Sequence, residues 1–258
     1  MVTTSIQFHA TPFVSYLLRR ADDALILGHR LSEWCSKAPT MEEDMALANI
    51  GLDLIGQARA LYTRAAEIED EGHDEDQFAY LRDERAYGNL LLVEQPNGDF
   101  AHTVVRQFLY AAFIDPYWRL LTESTDATLA AIAAKAEKES AYHLRHSAEW
   151  VIRLGDGTAE SHRRAQAAVD RLFPYTNEMF AAPADEDALV AEGLVADPAA
   201  LRAIWRDTVS DVLGRATLAV PEAGWMQSGG RDGRHSEHLG PLLAELQFLQ
   251  RSFPGATW

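Results

Sequence analysis

Apolar residues recur three and four positions apart along almost the whole chain, whereas alternation with a period of two is hard to find. That pattern predicts a nearly all-helical protein. Leu47, Ile50, Leu54, Ala58, Leu61 and Ala65 mark the buried face of one long helix. Pro39-Thr40 followed by Glu43 opens it as a capping box, in which the Thr40 hydroxyl takes the third backbone amide and Glu43 reaches back; the helix runs to about Glu69. Asp74 caps the next, which is expected to end near Glu94 because Gln95-Pro96-Asn97-Gly98 reads as a turn. Asp99 opens a helix from Phe100 to about Thr122. Ser124 or Thr125 starts an alanine-rich one that ends at Leu154, before Gly155-Asp156-Gly157. Another follows Thr158 and is expected to kink at Pro174. Asp197-Pro198 opens a helix to about Ala219, and the last spans about Ser236 to Phe253.

Long helices joined by short turns predict an antiparallel bundle. The connection at 181–197, AAPADEDALVAEGLVAD, is long for such a fold and reads as a solvated acidic linker. Neither an internal repeat nor a low-complexity linker divides the chain, which predicts one domain over residues 1–258.

Composition narrows the partners. Apolar residues make up 47% and charged residues 24% of the 258, the profile of a soluble globular protein with a sizeable core. Twenty-three basic against thirty-nine acidic side chains leave a net charge of −16, so the surface as a whole repels nucleic acid and anionic lipid and suits a basic protein partner. Cys35 is the only cysteine, which rules out intrachain disulfides and cysteine-rich metal sites. The first twenty residues have no basic stretch followed by an apolar one, and no later stretch has 18 uninterrupted apolar residues; a cytoplasmic protein is expected.

Bundle cores are where di-iron and di-manganese carboxylate sites are built, from a Glu on each of two helices and a Glu-x-x-His pair on each of two others. The nine histidines give no Glu-x-x-His at all. Asp-x-x-His occurs at Asp70/His73, Asp99/His102 and Asp232/His235, each in a turn or at a helix start, where caps and solvated histidines are expected. Mid-helix, "KESAYHLRH" (138–146) places Glu139 and His143 on one face. The pair reads either as half of a metal site or, as favoured here, as a hydrogen-bonded pair beside a neighbouring helix, with Lys138 and Arg145 adding surface ion pairs. In "GLDLIGQAR" (51–59) Asp53 points inward by its phase, but Gly56 stands three residues on and Gln57 is a poor ligand for a hard metal pair. Close helix approach explains Gly51 and Gly56. "GGRDGRHSEH" (229–238) reads either as an anion or partner contact or as a loop before a capped helix. No dinucleotide, Walker or nucleophile-elbow motif is present.

Four stretches, "RLSEWCSKAPTMEEDMALANIGLDLIGQARALY" (30–62), "DERAYGNLLLVEQPNGDFA" (83–101), "KESAYHLRHSAEW" (138–150) and "HSEHLGPLLAELQFLQ" (235–250), closely resemble the C subunits of bacterial ring 1,2-phenylacetyl-CoA epoxidases, the multicomponent oxygenases of aerobic phenylacetate degradation. The resemblance runs from about residue 13 to Trp258. It implies a ferritin-like helical bundle with additional C-terminal helices and a non-catalytic, structural role. The catalytic A subunit of the same complex would hold the di-iron site, and a reductase with flavin and iron–sulfur centres would deliver electrons from NADPH; no cofactor is expected in this chain. Set beside the sister subunit's ligand pattern, Ala24 falls where the first-helix glutamate belongs. Asp53 and Gly56 fall on the first Glu-x-x-His, Ser140 and His143 on the second, and the remaining acid near Ala111, a turn from Asp115. "KESAYHLRH" thus reads as the remnant of a site.

A supporting role predicts a large apolar contact with the A subunit, for which Tyr87 to Val93, Trp118 and Trp205 are candidates. Arg85, Ala86, Tyr87, Gly88 and Asn89, with Asp187, Ala188 and Leu189, are candidates to border a phenylacetyl-CoA thioester or the subunit interface, because polar groups there interrupt an apolar face. Two alternatives stay open: an active di-metal enzyme with an irregular set of Asp53, Glu139, His143 and Asp115, or an acidic helical adaptor.

Overall fold

The computed structural model of the chain describes residues 5–222 and 224–256, and among them it contains helices and turns but no strand. Four long helices make the frame: α1 (Pro12–Ser32), α2 (Met41–Glu69), α5 (Phe100–Leu121) and α6 (Ala127–Gly155). Between α2 and α5 lie two short ones, α3 (Glu75–Tyr80) and α4 (Leu91–Glu94). After α6 come α7 (Ala159–Leu172), α8 (Asp187–Ala191), α9 (Arg202–Arg215), α10 (Leu239–Leu246) and α11 (Phe248–Ser252).

α1 packs along α2, and α5 along α6. Cross-contacts set their directions. Gly28 meets Gly51 while Asp22 meets Tyr62, and Phe100 meets Trp150 while Arg119 meets Glu137, so both pairs run antiparallel. The two hairpins join where α2 lies on α6 and where the Tyr16 and Tyr117 hydroxyls meet at 3.0 Å. α7 covers α5 and α6, and α9 closes the same side through Trp205, whose indole donates to the Leu109 carbonyl. α5 is therefore buried on nearly every side, which explains why it is apolar all round. The close crossing of α1 and α2 depends on Gly28 and Gly51, each set against the other's carbonyl oxygen.

Most expected helices are present, and their starts depart in instructive ways. Thr40 caps α2, but the Glu43 carboxylate accepts from His146 on α6 at 2.9 Å, so half of the capping box becomes a tertiary contact. α6 is capped by Asp126, whose own amide donates to Ser124. The helix expected from Asp74 to Glu94 ends at Tyr80. α7 stops at Leu172 instead of kinking, α9 gives way at Arg215 rather than Ala219, and the last helix is divided into α10 and α11. The 181–197 segment is not a solvated linker: Glu186 is fully buried and holds Arg19 at 2.9 Å, and Asp185 pairs with the same arginine.

Candidate functional site

At the bundle level where a metal pair would sit, α1 presents Ala24 and α5 presents Ala111, both buried and without donors. On α2, Asp53 is 37% exposed, more outward than its phase predicts, because α2 turns that face toward solvent. His143 on α6 is buried and its Nε2 lies 3.0 Å from Asp53 Oδ2. Ser140 turns its hydroxyl back to the Ala136 carbonyl within α6 at 2.7 Å. Gly56 borders a shallow apolar groove of about 270 Å³ between α2 and α6, with open space where a side chain would stand. Close packing thus accounts for Gly51 and not for Gly56.

The expected Glu139–His143 pair does not form. Glu139 accepts from Gln57 at 2.9 Å and faces Lys135 at 3.4 Å, while His143 turns to Asp53. Asp115 pairs with Arg119 at 2.8 Å; burial raises its pKa, and the arginine works against that shift. Asp53, Glu139, His143 and Asp115 therefore do not converge on one point. Among the described residues the one trio of donors near enough to share an ion is Glu69, Glu71 and His73, at the C-terminal end of α2, where Glu69 clasps His73 at 2.7 Å. Arg145 lies over the Tyr142 ring, a cation–π contact in place of the expected ion pair.

The polar chemistry of the interior lies elsewhere. Asp22 and Asp23, adjacent on α1, are both buried. Asp22 accepts from Arg82, from the Tyr62 hydroxyl at 2.5 Å and from the Gly88 amide at 2.8 Å. Asp23 accepts from both terminal nitrogens of Arg231, at 2.7 and 3.0 Å, and from the Leu90 amide at 2.8 Å. Burial opposes the charge on Arg82, but Asp22, with the Tyr62 and Tyr87 oxygens, more than restores it. Burial pushes the Tyr87 hydroxyl up to about 12. Glu94 closes a second knot, accepting from Asn89 at 2.9 Å and the Ser236 amide at 2.6 Å and meeting His235 at 2.8 Å. Burial alone would lower the His235 pKa, yet Glu94 leaves it raised.

These knots correct several expectations. "GGRDGRHSEH" is neither an open anion contact nor a simple loop; Arg231 and His235 stitch it to α1 and the 87–94 segment, and a side chain at Gly230 would strike the Asn89 carbonyl. His235 is buried rather than solvated, and so is His102. Asp99 does cap α5, its carboxylate accepting from the His102 amide at 2.9 Å. Tyr87 to Val93, Trp118 and Trp205 are core of this chain, so none of them presents an interface. Tyr87, Gly88, Asn89 and Leu189 are buried, whereas Arg85, Ala86, Asp187 and Ala188 are exposed. Arg85, Ala86, Tyr87 and Gly88 do border one hollow of about 190 Å³ with Arg19, which in turn binds Asp185 and Glu186. Arg19 thus links the first candidate segment to the residues just before the second, and among the described residues it makes no hydrogen bond or ion pair with Asp187, Ala188 or Leu189. Arg231 belongs to the 229–238 stretch that the sequence offers as a contact, whereas Asp22, Asp23 and Arg82 were not singled out in the sequence. The signal was the charged run RRADD inside an otherwise apolar α1.

Comparison with known proteins agrees with this frame. A family model described as "Phenylacetic acid catabolic protein" matches residues 2–258. The chain belongs to this family. A relative in Escherichia coli (strain K12), the C subunit of 1,2-phenylacetyl-CoA epoxidase, is 51% identical over 244 residues, covering 95% of this chain and 98% of the relative. The family's ferritin-like bundle is the architecture seen here in α1, α2, α5 and α6. Among the described residues no helix is long and apolar enough to cross a membrane.

Proposed function

We propose that this chain is a non-catalytic structural subunit of a multicomponent di-iron oxygenase that epoxidises the aromatic ring of phenylacetyl-CoA, and that it supports the catalytic A subunit. The likeness to the C subunit of an epoxidase supports the pathway. What supports the non-catalytic role is the bundle centre: Ala24, Gly56 and Ser140 offer no donor there, and Asp53 and His143 satisfy each other. Di-iron would reside in the partner, and NADPH, flavin and iron–sulfur chemistry in the reductase.

The outer face of α2 suits the partner. Met41, Met45 and Leu52 follow helical spacing and are 77%, 61% and 65% exposed, beside the apolar groove lined by Gly56, Ala60, Ala131 and Ile132. Large apolar side chains left in water at this density are a feature of surfaces that another chain covers. If phenylacetyl-CoA approaches this subunit, Arg85, Ala86, Asp187 and Ala188 are the candidate residues on the exterior.

The test is co-expression with a catalytic A subunit, followed by co-purification and an epoxidation assay with and without this chain. The proposal predicts a stable complex, activity that requires both chains, and loss of co-purification in Leu52→Asp with its melting temperature kept. Full activity of the A subunit alone, or epoxidation by this chain alone, would overturn it.

A further inference from the structure

α7 carries "RRAQAAVDR", which puts Arg164 and Arg171 two turns apart on one face with the small residues Ala167 and Ala168 between them. That face lies opposite the start of α5. Together they wall a hollow of about 270 Å³ lined by Gly98, Asp99, His102, Arg163, Arg164 and Arg171. This is smaller than the pockets that enclose drug-sized ligands, and suits a compact ionic group.

The charges there are opposite to those of the whole chain. Arg163 and Arg164 share a single carboxylate, Glu160, at 2.7 to 3.0 Å, and Arg164 has only a distant second partner in Asp99 at 3.6 Å. Arg171 is exposed and has no hydrogen bond or ion pair among the described residues. Beneath lies Arg106, fully buried and bonded only to neutral oxygens, the Gln95 carbonyl and Asn97 Oδ1. Arg163, Arg164 and Arg171 thus line the hollow with one carboxylate, Asp99, in a protein whose net charge is −16.

The His102 ring is the second observation. The residue is 8% exposed, borders the hollow, and its ring nitrogens have no partner among the described residues; only its backbone amide is engaged, by the Asp99 cap. Burial, then Arg106 and Arg171, push the ring down to about 4, and burial with Arg30 pushes Arg106 down to about 9. Burial leads both shifts, and the neighbouring arginines add to it beyond what Asp99 offsets at His102 and Glu33 at Arg106; a bound anion would relieve that added part.

We propose that this hollow is a binding site for a phosphate monoester, held by Arg163, Arg164 and Arg171 with the His102 ring behind them. Arginine forks match phosphate oxygens in paired contacts, and a small enclosed anion is what a buried, unpartnered imidazole can reach. Asp99 stands at the rim as the one carboxylate lining the hollow. It weakens the site while serving α5 as cap. The site does not depend on the role of the chain in an oxygenase.

The full-length chain is titrated at pH 7 with inorganic phosphate and, separately, phenyl phosphate, against sodium chloride at matched ionic strength. Melting temperature and the His102 imidazole resonance, identified by its absence in His102→Gln, are followed. Saturable stabilisation and a shift of the His102 resonance by both phosphates are expected, and not by chloride. Arg171→Gln should weaken the apparent affinity about tenfold, the loss of one charge-assisted contact. Asp99→Asn, which keeps a capping side chain, should strengthen it. Equal response to chloride, unchanged affinity in Arg171→Gln, or saturation by a polyglutamate peptide but by neither phosphate would overturn the proposal, the last in favour of an acidic protein partner.

Discussion

Asp22 and Asp23 sit side by side on α1 and hold different arginines, Arg82 from the segment after α3 and Arg231 from near the carboxyl end. Each carboxylate also takes a backbone amide, so its lone pairs are largely used. Removing one partner of a buried ion pair leaves the other desolvated and alone. Asp23→Asn should therefore cost about 3–5 kcal/mol in chemical denaturation, and a double exchange of Asp23 and Arg231 for apolar residues of similar size should recover part of the loss. Two histidines make stability depend on pH. His29 and His102 are both pushed down to about 4, from an ordinary value near 6.5, with burial the leading cause. Groups kept neutral in this way stabilise the fold above the ordinary value, and the contribution is lost as pH falls through the window from about 6.5 to 4. For His102 the loss is at most ~3.5 kcal/mol, at about 1.4 kcal/mol per pKa unit. Melting temperature should fall across that window in the parent and fall less in His102→Gln.

Glycines separate the elements that touch from those that do not. A side chain at Gly155 would overlap the Ala216 carbonyl oxygen where α6 ends against the end of α9, whereas Gly56 faces open space. Gly56→Ala should raise stability by about 0.5–1 kcal/mol, the helix-propensity gain, and Gly155→Ala should lower it by about 1–3 kcal/mol; urea midpoints of the two variants read both signs. Of the four long helices, α2, α5 and α6 were legible from period and capping residues, whereas α1 entered only through the family resemblance. The stretch from Leu81 to Leu90 was not legible. There the Gly88 and Leu90 amides donate to Asp22 and Asp23 instead of to carbonyls four residues back. Two carboxylates on another helix thus take the donors a continuous helix needs, and no local pattern announces that. The capping box at Thr40 failed by the same route, because His146 on a distant helix claims Glu43.

At the scale of the molecule, the ferritin-like frame is present, and Asp53, Glu139, His143 and Asp115 do not converge within it. The sequence was enough to find the missing Glu-x-x-His pairs, since absence of a residue type needs no coordinates. It could not place the survivors: Asp53 by phase belonged to the interior, yet α2 and α6 meet so that its carboxylate lies at the rim, reached by a buried His143. Nor could it distinguish surface from core in 87–93, whose apolar run looked like an interface and proves to be packed beneath Arg231 and His235. Met41, Met45 and Leu52 of α2 are instead exposed, which is why the proposed partner contact is placed on that face. All of this depends on a bundle that cannot grip two metal ions. The direct measurement is the iron and manganese content of the chain purified alone after metal-replete expression, with His143→Ala beside it. Substoichiometric metal, unchanged by the substitution, is the predicted result; near two ions per chain, lost in His143→Ala, would contradict the account.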